Sequence, residues 1–329
     1  LGAGAIGGFM AVRLAAAGAD VSVVIRGPHL AAVREHGMTL IAADGTRTVQ
    51  RLRASDRLSD LGPQDAIILG MKAHQVAAVA ADVAAALGPQ TTAVTTQNGI
   101  PWWYFFGHGG PYDGRRLESV DPGGSIWSRI PPARVVGCVV YPACEVAAPG
   151  VIRHVEGNRF PLGEPDGADT ARVRALADLF RKAGFRSPVL DDIRSEIWLK
   201  LWGNLSFNPI SALTHATLAE ICRFPATRSL AAAMMSEAQA VGETLGVRFK
   251  VSLEKRIAGA EAVGEHKTSM LQDVESGRAI ELQALVGSVL ELGRITGVAT
   301  PAIDIVHALA SLLAATLAGR RGRLRIESA

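Results

Sequence analysis

Near its start the chain reads Gly2-Ala3-Gly4-Ala5-Ile6-Gly7, then the alanine-rich run Gly8 to Ala17 and a stop at Gly18. In this G-x-G-x-x-G spacing each glycine has a mechanical task. The first permits a tight turn, the second lets backbone approach a pyrophosphate, and the third lets a helix pack close to a strand. Val21 to Ile25 then reads as a buried parallel strand, so the segment is half of a βαβ unit. Its first strand is largely missing, which predicts that further residues precede Leu1 in the complete polypeptide. Turn, helix, glycine stop and strand in this order point to dinucleotide binding. Gly2, Gly4, Ala5, Ile6 and Gly7 would offer backbone at a helix N-terminus to the phosphates.

Outward from this motif the alternation continues. Ala66 to Gly70 is a short apolar strand, Gln75 to Leu87 a helix stopped by Gly88-Pro89, and Thr91 to Thr96 another strand before Gln97-Asn98-Gly99. Strand-like segments recur at Arg134 to Tyr141, Gly150 to His154 and Arg159 to Leu162, with a helix at Thr170 to Ala183. After Asp191-Asp192 the pattern is helical almost to the end. The reading is an α/β protein: an N-terminal Rossmann-type doubly wound sheet over residues 1–190 plus a C-terminal all-helical domain over 191–329, divided near Pro188 to Asp192. At 329 residues the chain exceeds one ordinary core, so two domains are expected. An extra loop spans about 101–132, where aromatics, glycines and prolines replace periodicity. Trp102, Trp103, Tyr104, Phe105 and Phe106 in it could form a lid over a site or a packed edge.

Composition narrows the function classes. With 48% hydrophobic and 20% charged residues the chain can bury a large core, which excludes disorder. A net charge of +3, spread evenly apart from Arg320, Arg321, Arg323 and Arg325, argues against a nucleic-acid partner. Cys138, Cys144 and Cys222 form neither a disulfide framework nor a zinc spacing, so a reducing, cytoplasmic location fits. The apolar stretch Pro301 to Gly319 is interrupted by Asp304 and His307, and no membrane partner is expected. The histidines show no metal spacing and no G-x-S-x-G nucleophile turn occurs, so no metal site is expected. His74 and His108 could line a crevice or be ordinary structural histidines.

Polar residues in apolar surroundings mark candidate sites. The second strand ends Val24-Ile25-Arg26, with a cation where NAD-binding units usually carry an acid. Arg26 is either a solvated arginine or the partner of a 2′-phosphate, hence NADP (NADPH). Lys72, beyond the third strand, is a second cation, and Asn98 either turns the chain or touches a nicotinamide ribose. On a helical wheel Lys200, Asn204 and Asn208 fall within about 80° of one another, on the stripe of Ile197, Leu201 and Phe207. A surface pair of Glu196 with Lys200 fits the spacing but does not explain the asparagines. In Arg278 to Gly293, read as one helix, Glu281 shares a stripe with Leu285, Ser288 and Leu292. It needs a cation such as Lys200, a substrate hydroxyl, or Arg278 at a helix edge.

Taken together, GAGAIGG at 2–8, Arg26, Met71-Lys72-Ala73, Gln97-Asn98-Gly99, KLWGNLSFNP at 200–209 and TSMLQD at 268–273 with Glu281 following resemble the ketopantoate reductase (2-dehydropantoate 2-reductase) family over nearly the whole chain. The resemblance implies a cleft between a Rossmann domain and a helical domain, where NADPH reduces the 2-oxo acid ketopantoate to pantoate on the route to pantothenate. It also implies roles: Lys200 as catalytic lysine, Glu281 as active-site acid, and Asn98, Asn204, Asn208 and Ser269 as cofactor or substrate contacts. Arg26 and Lys72 would face the cofactor's phosphates. A homodimer is a further expectation. The stretch after Gly99 is longer than in compact members, which leaves another 2-oxo acid or ketone open as substrate. A non-catalytic NADP-binding regulator would have lost Lys200 or Glu281, and both are present.

Overall fold

The computed structural model describes residues 1–320, so Arg321, Arg323 and Arg325 of the basic run lie outside the described residues. Two compact units are present. The first comprises Leu1–Gln97, Pro101–Arg116 and Asp121–Ile193, and the second Asn98–Ile100, Leu117–Val120 and the chain from Arg194 onward.

The first unit contains, in chain order, α1 (Ala5–Ala16), β1 (Ser22–Val24), α2 (Gly27–His36), β2 (Met38–Ile41), β3 (Arg47–Gln50), β4 (Arg53–Ser55) and β5 (Ala66–Leu69). Then follow α3 (Val76–Ala86), β6 (Thr92–Thr95), α4 (Ser125–Arg129), β7 (Val135–Cys138), β8 (Ala143–Ala148), β9 (Val151–Glu156), β10 (Leu162–Gly163) and α5 (Ala171–Lys182). Strands β5, β6 and β7 pair in parallel, with β10 antiparallel at the edge, and β1 pairs in parallel with β4. Leu1 and Gly2 lie between these two groups. The Gly2 N–H donates to Val24 O (3.0 Å), the Gly70 N–H to Leu1 O (2.8 Å), and the Leu1 nitrogen to Ile68 O (2.9 Å). Two residues therefore occupy the place of the strand that the glycine motif calls for, and the order β4-β1-(Leu1–Gly2)-β5-β6-β7-β10 is that of a Rossmann sheet.

A second sheet, β3-β2-β9-β8, is not foreshadowed by the sequence apart from the strand at β9. The β2–β3 hairpin turns at Asp44-Gly45, where the Thr46 N–H donates to Asp44 Oδ1 (2.9 Å). Its strands are only four residues long, too short for alternation to stand out. This sheet packs on α1: a Cβ on Gly8 would meet the Ile152 side chain at 2.7 Å, so glycine there brings helix and sheet together. At the other edge, Glu164 is 2% exposed and accepts from Arg172 Nη2 (2.5 Å) and Thr170 Oγ1 (2.5 Å), tying β10 to the start of α5. A buried carboxylate is tolerable here because both oxygens are partnered.

The aromatic run belongs to this unit's core. Trp102, Trp103, Tyr104 and Phe105 are at most 4% exposed, and Trp103 Nε1 donates to Thr95 Oγ1 of β6 at 3.1 Å. Gly137 of β7 makes room for the Trp103 ring, which a Cβ would approach to 2.9 Å. Of the two alternatives, lid or packed element, the structure has the packed one: four of the five adjacent aromatics are buried, which removes more apolar surface from water than a solvent-facing loop could hide. His108 makes tilted and edge-on ring contacts with Tyr104, Phe105 and Tyr112 and is likewise a packing residue. The rest of the 101–132 segment is held by Asp121, 1% exposed, whose carboxylate accepts from the Ile126 (2.7 Å) and Trp127 (2.9 Å) amides at the start of α4.

The second unit is helical: α6 (Ile193–Thr214), α7 (Leu218–Arg223), α8 (Pro225–Thr244), α9 (Leu253–Ala262), α10 (Ser269–Glu275), a π-turn at Gln283–Gly287 leading into α11 (Ser288–Thr296), and α12 (Pro301–Gly319). Trp198, Trp202 and Leu205 of α6 are fully buried, and Trp202 Nε1 donates to Met235 O of α8 (2.7 Å). Glu237 of α8 accepts from the Ala302 (2.8 Å) and Ile303 (3.0 Å) amides, placing a carboxylate on the positive end of α12.

Candidate active site

In the first unit the glycine turn has the geometry an anionic dinucleotide needs. Gly2 has φ +82° and no room for a side chain beside Met71, while a Cβ on Gly7 would collide with the Gly2 carbonyl. Around Gly4, in contrast, a Cβ would meet nothing within 4 Å, so its backbone is open to close approach. Gly4 caps α1 without a side-chain bond, and the first turn carries no acid. The amides of Ala5, Ile6 and Gly7 thus begin a helix whose positive end suits a pyrophosphate. Arg26 is exposed at the N-cap of α2, directly after β1, and Lys72 is half-buried at the N-cap of the turn after β5. Gln97 Nε2 donates to Leu69 O (2.5 Å) and Met71 O (3.1 Å), which leaves Gln97 Oε1 buried with no partner among the described residues. An orphan acceptor at the carboxyl ends of β5 and β6 fits a donor supplied by a ligand.

His29, which carries no signal in the sequence, fastens this turn. The Gly150 amide, between β8 and β9, donates to His29 Nδ1 (2.8 Å), so the ring proton sits on Nε2 and is donated to Ala3 O (3.0 Å). One neutral imidazole on α2 therefore ties the glycine turn to the second sheet. No local pattern could have found it, since its partners lie 26 and 121 residues away.

In the second unit, α6 carries Lys200, Asn204 and Asn208 along one face, as the wheel predicts. Lys200 and Asn204 are half-buried, and Asn208 is 5% exposed beside Phe207 (3%) in the chain. Lys200 Nζ donates to Asn98 Oδ1 at 2.5 Å, a charge-assisted bond. Asn98 is held there because Gly99, with φ +88°, runs so close to Ala284 that a Cβ would collide with the Ala284 carbonyl, and the Ile100 amide donates to the same carbonyl (2.9 Å). Asn208 Nδ2 donates weakly to Ser269 Oγ (3.4 Å) at the first position of α10, where Thr268 caps through Oγ1 to the Leu271 amide (3.2 Å).

Glu281 is half-buried and lies one residue before helical Leu282. The single helix expected over 278–293 is thus replaced by a non-helical start, a π-turn and α11. The i→i+5 bonding of the π-turn changes the wheel, although Leu285, Ser288 and Leu292 are buried as expected (2%, 0%, 0%). Arg278, one candidate partner of Glu281, pairs with Asp273 instead (3.0 Å). Two of the thiols are poor nucleophiles: burial pushes Cys144 up to about 12 and also raises Cys222.

Along α6 and its contacts the chain offers an ammonium fixed by an amide oxygen, two further amides and a hydroxyl on largely buried elements. Such a set can orient a small, hydroxylated, carboxylate-bearing molecule and give it a proton.

Comparison with known proteins agrees with this reading. Residues 1–167 match the model of the ketopantoate reductase PanE/ApbA family, and residues 192–314 match that of the ketopantoate reductase PanE/ApbA C-terminal domain. A 2-dehydropantoate 2-reductase from Mesorhizobium japonicum is 58% identical over 314 residues, covering 95% of this chain and 96% of its own. A Ralstonia solanacearum crystal structure assigned as a ketopantoate reductase superposes with a TM-score of 0.91 at 42% identity, over 96% of each chain. The 2-dehydropantoate 2-reductase from Methylococcus capsulatus does so at 0.81 and 28%, over 95% of each. With both parts of its length matched in this way, the chain belongs to the ketopantoate reductase family.

Proposed function

We propose that this protein reduces ketopantoate (2-dehydropantoate) to pantoate with NADPH, and that Lys200 is its proton donor. The observation that carries the proposal is the 2.5 Å bond from Lys200 Nζ to Asn98 Oδ1, which holds a cation in place on a largely buried helix face. NADPH, when bound, supplies the hydride to the ketone carbon. Negative charge then builds on the ketone oxygen, and an ammonium with a fixed position stabilises that charge and delivers a proton. Glu281 orients the lysine or a substrate hydroxyl, and Asn204, Asn208 and Ser269 take the substrate's hydroxyl and carboxylate oxygens. The turn Gly2–Gly7 holds the pyrophosphate, with Arg26 and Lys72 on the 2′-phosphate side and Asn98 near the cofactor. A cytoplasmic homodimer completes the proposal, cysteines that form no disulfide being suited to a reducing compartment.

The test is a steady-state assay of the purified protein with NADPH and NADH against ketopantoate, pyruvate and branched 2-oxo acids. Ketopantoate with NADPH should have the highest kcat/KM; a higher value for another acid would move the assignment to that acid. Arg26→Ala should weaken NADPH binding by about 1.5 to 3 kcal/mol, the size of a charged hydrogen bond, and leave NADH almost untouched. Equal losses for both cofactors would remove Arg26 from phosphate recognition. His29→Ala should weaken both cofactors alike, by about 1 to 2 kcal/mol, because it loosens the turn and touches no phosphate. Fluorescence titration with each cofactor separates the two patterns without reference to turnover.

A further inference from the structure

The Ala284 carbonyl is bonded in a way that a regular helix does not allow. In an α-helix it would take the amide of Ser288, four residues on. Here the Ser288 amide donates to the Gln283 carbonyl, five residues back, which is the register of the π-turn. The Ala284 carbonyl is thereby released, and two other donors reach it: the Ile100 amide (2.9 Å) and the Ser288 hydroxyl (2.8 Å). Ala284, Ser288 and Ile100 are 4%, 0% and 1% exposed, so water cannot stand in for any of the three. A serine hydroxyl in a helix often folds back onto the carbonyl four residues earlier, where it joins an amide that already holds that carbonyl. At Ala284 that amide has gone to Gln283, and Ile100 takes its place.

We propose that this π-turn is a positioning device for the lysine of α6, and that Ser288 is a positioning residue within it. The released carbonyl holds the Ile100 amide, which fixes the backbone on the far side of Gly99 and with it the side chain of Asn98, whose Oδ1 accepts from Lys200 Nζ (2.5 Å). The inference rests on Lys200 as proton donor and adds what keeps that donor in place. A carbonyl oxygen has two lone pairs, and at Ala284 both are taken, one by Ile100 and one by the Ser288 hydroxyl. The Ser288 amide therefore has no site to return to. Without the hydroxyl a lone pair opens, the turn can relax to α-helical bonding, and the Ile100 amide has to share or lose its buried acceptor. Asn98 then gains freedom, and a small displacement of a reacting group is enough to slow a positioned proton transfer.

Ser288→Ala should lower the single-turnover rate of NADPH oxidation about tenfold, the scale of one buried hydrogen bond, while KM for the 2-oxo acid, NADPH affinity and circular dichroism change little. Hydrogen exchange of the Ile100 amide, followed by NMR, should become about tenfold faster in the same variant. In an Asn98→Ala background Ser288→Ala should have almost no further effect on the rate, because the link through which it acts is already gone. Unaltered Ile100 exchange in S288A, or a rate within about twofold of the unaltered chain, would overturn the proposal. So would an equal further loss on top of N98A, which would assign Ser288 to general packing. If S288A fails to fold, Ser288→Cys keeps a weak donor in nearly the same volume and should show smaller changes in the same direction, with the same outcomes deciding. Faster Ile100 exchange in S288A together with a loss of less than about tenfold in K200A would leave the fixing of Asn98 standing and remove only the proton-donor reading.

Discussion

Lys200→Ala is expected to lower kcat by roughly 10² to 10⁴, the range for removing a positioned general acid, with NADPH affinity and thermal stability little changed. The expectation rests on how Lys200 is held. Its ammonium is bonded to Asn98 Oδ1, and Asn98 is itself anchored by the close passage of Gly99 and Ile100 along Ala284. A donor fixed in this way needs little reorganisation at the moment of reaction, and alanine has nothing to replace it. Asn98→Ala should therefore reproduce part of the loss while leaving the lysine in the chain. Single-turnover measurement of NADPH oxidation is the decisive readout, since it isolates the chemical step from release. A fall of less than about tenfold there would take Lys200 out of the proton-donor role.

Trp103→Ala should destabilise the protein by about 3 to 5 kcal/mol, the usual cost of emptying a fully buried aromatic site, and lower the melting temperature by on the order of 10 °C. Trp103 is 1% exposed, fills the space that Gly137 leaves on β7, and gives its only polar hydrogen to Thr95. Trp103→Phe breaks the Thr95 bond and keeps much of the ring. Trp102 offers the control, because its Nε1 is buried with no partner among the described residues. Trp102→Phe removes a desolvated, unpaired donor and should cost clearly less than Trp103→Phe. The ranking of 2-oxo acids should not change in any of these variants. A changed ranking at unchanged melting temperature would restore the aromatic run as a substrate lid.

What could be read from the sequence alone is what depends on neighbours within a few turns of chain. The glycine spacing, the α1–β1 succession, the helical second half and the common face of Lys200, Asn204 and Asn208 are set by the periods of helix and strand, which act over less than about twenty residues. Those periods say which side of α6 is polar among apolar neighbours, but not what the lysine meets there. That partner, Asn98, lies 102 residues away, and the bond exists only because a glycine lets the chain pass against the Ala284 carbonyl. His29 is a stricter case: its role comes from two backbone groups on separate elements, and nothing in Arg26-Gly27-Pro28-His29 announces it. The same limit explains why five adjacent aromatics could be read as lid or core. Hydrophobicity requires that they be covered, and which surface covers them is a long-range choice, here the face of β6 and β7 with the notch at Gly137. Glu281 shows the converse, a local rule overridden by its surroundings. An uninterrupted helix is the simplest pattern for 278–293, yet Arg278 closes onto Asp273 and the backbone delays its helix to Leu282, with a π-turn alongside Ile100.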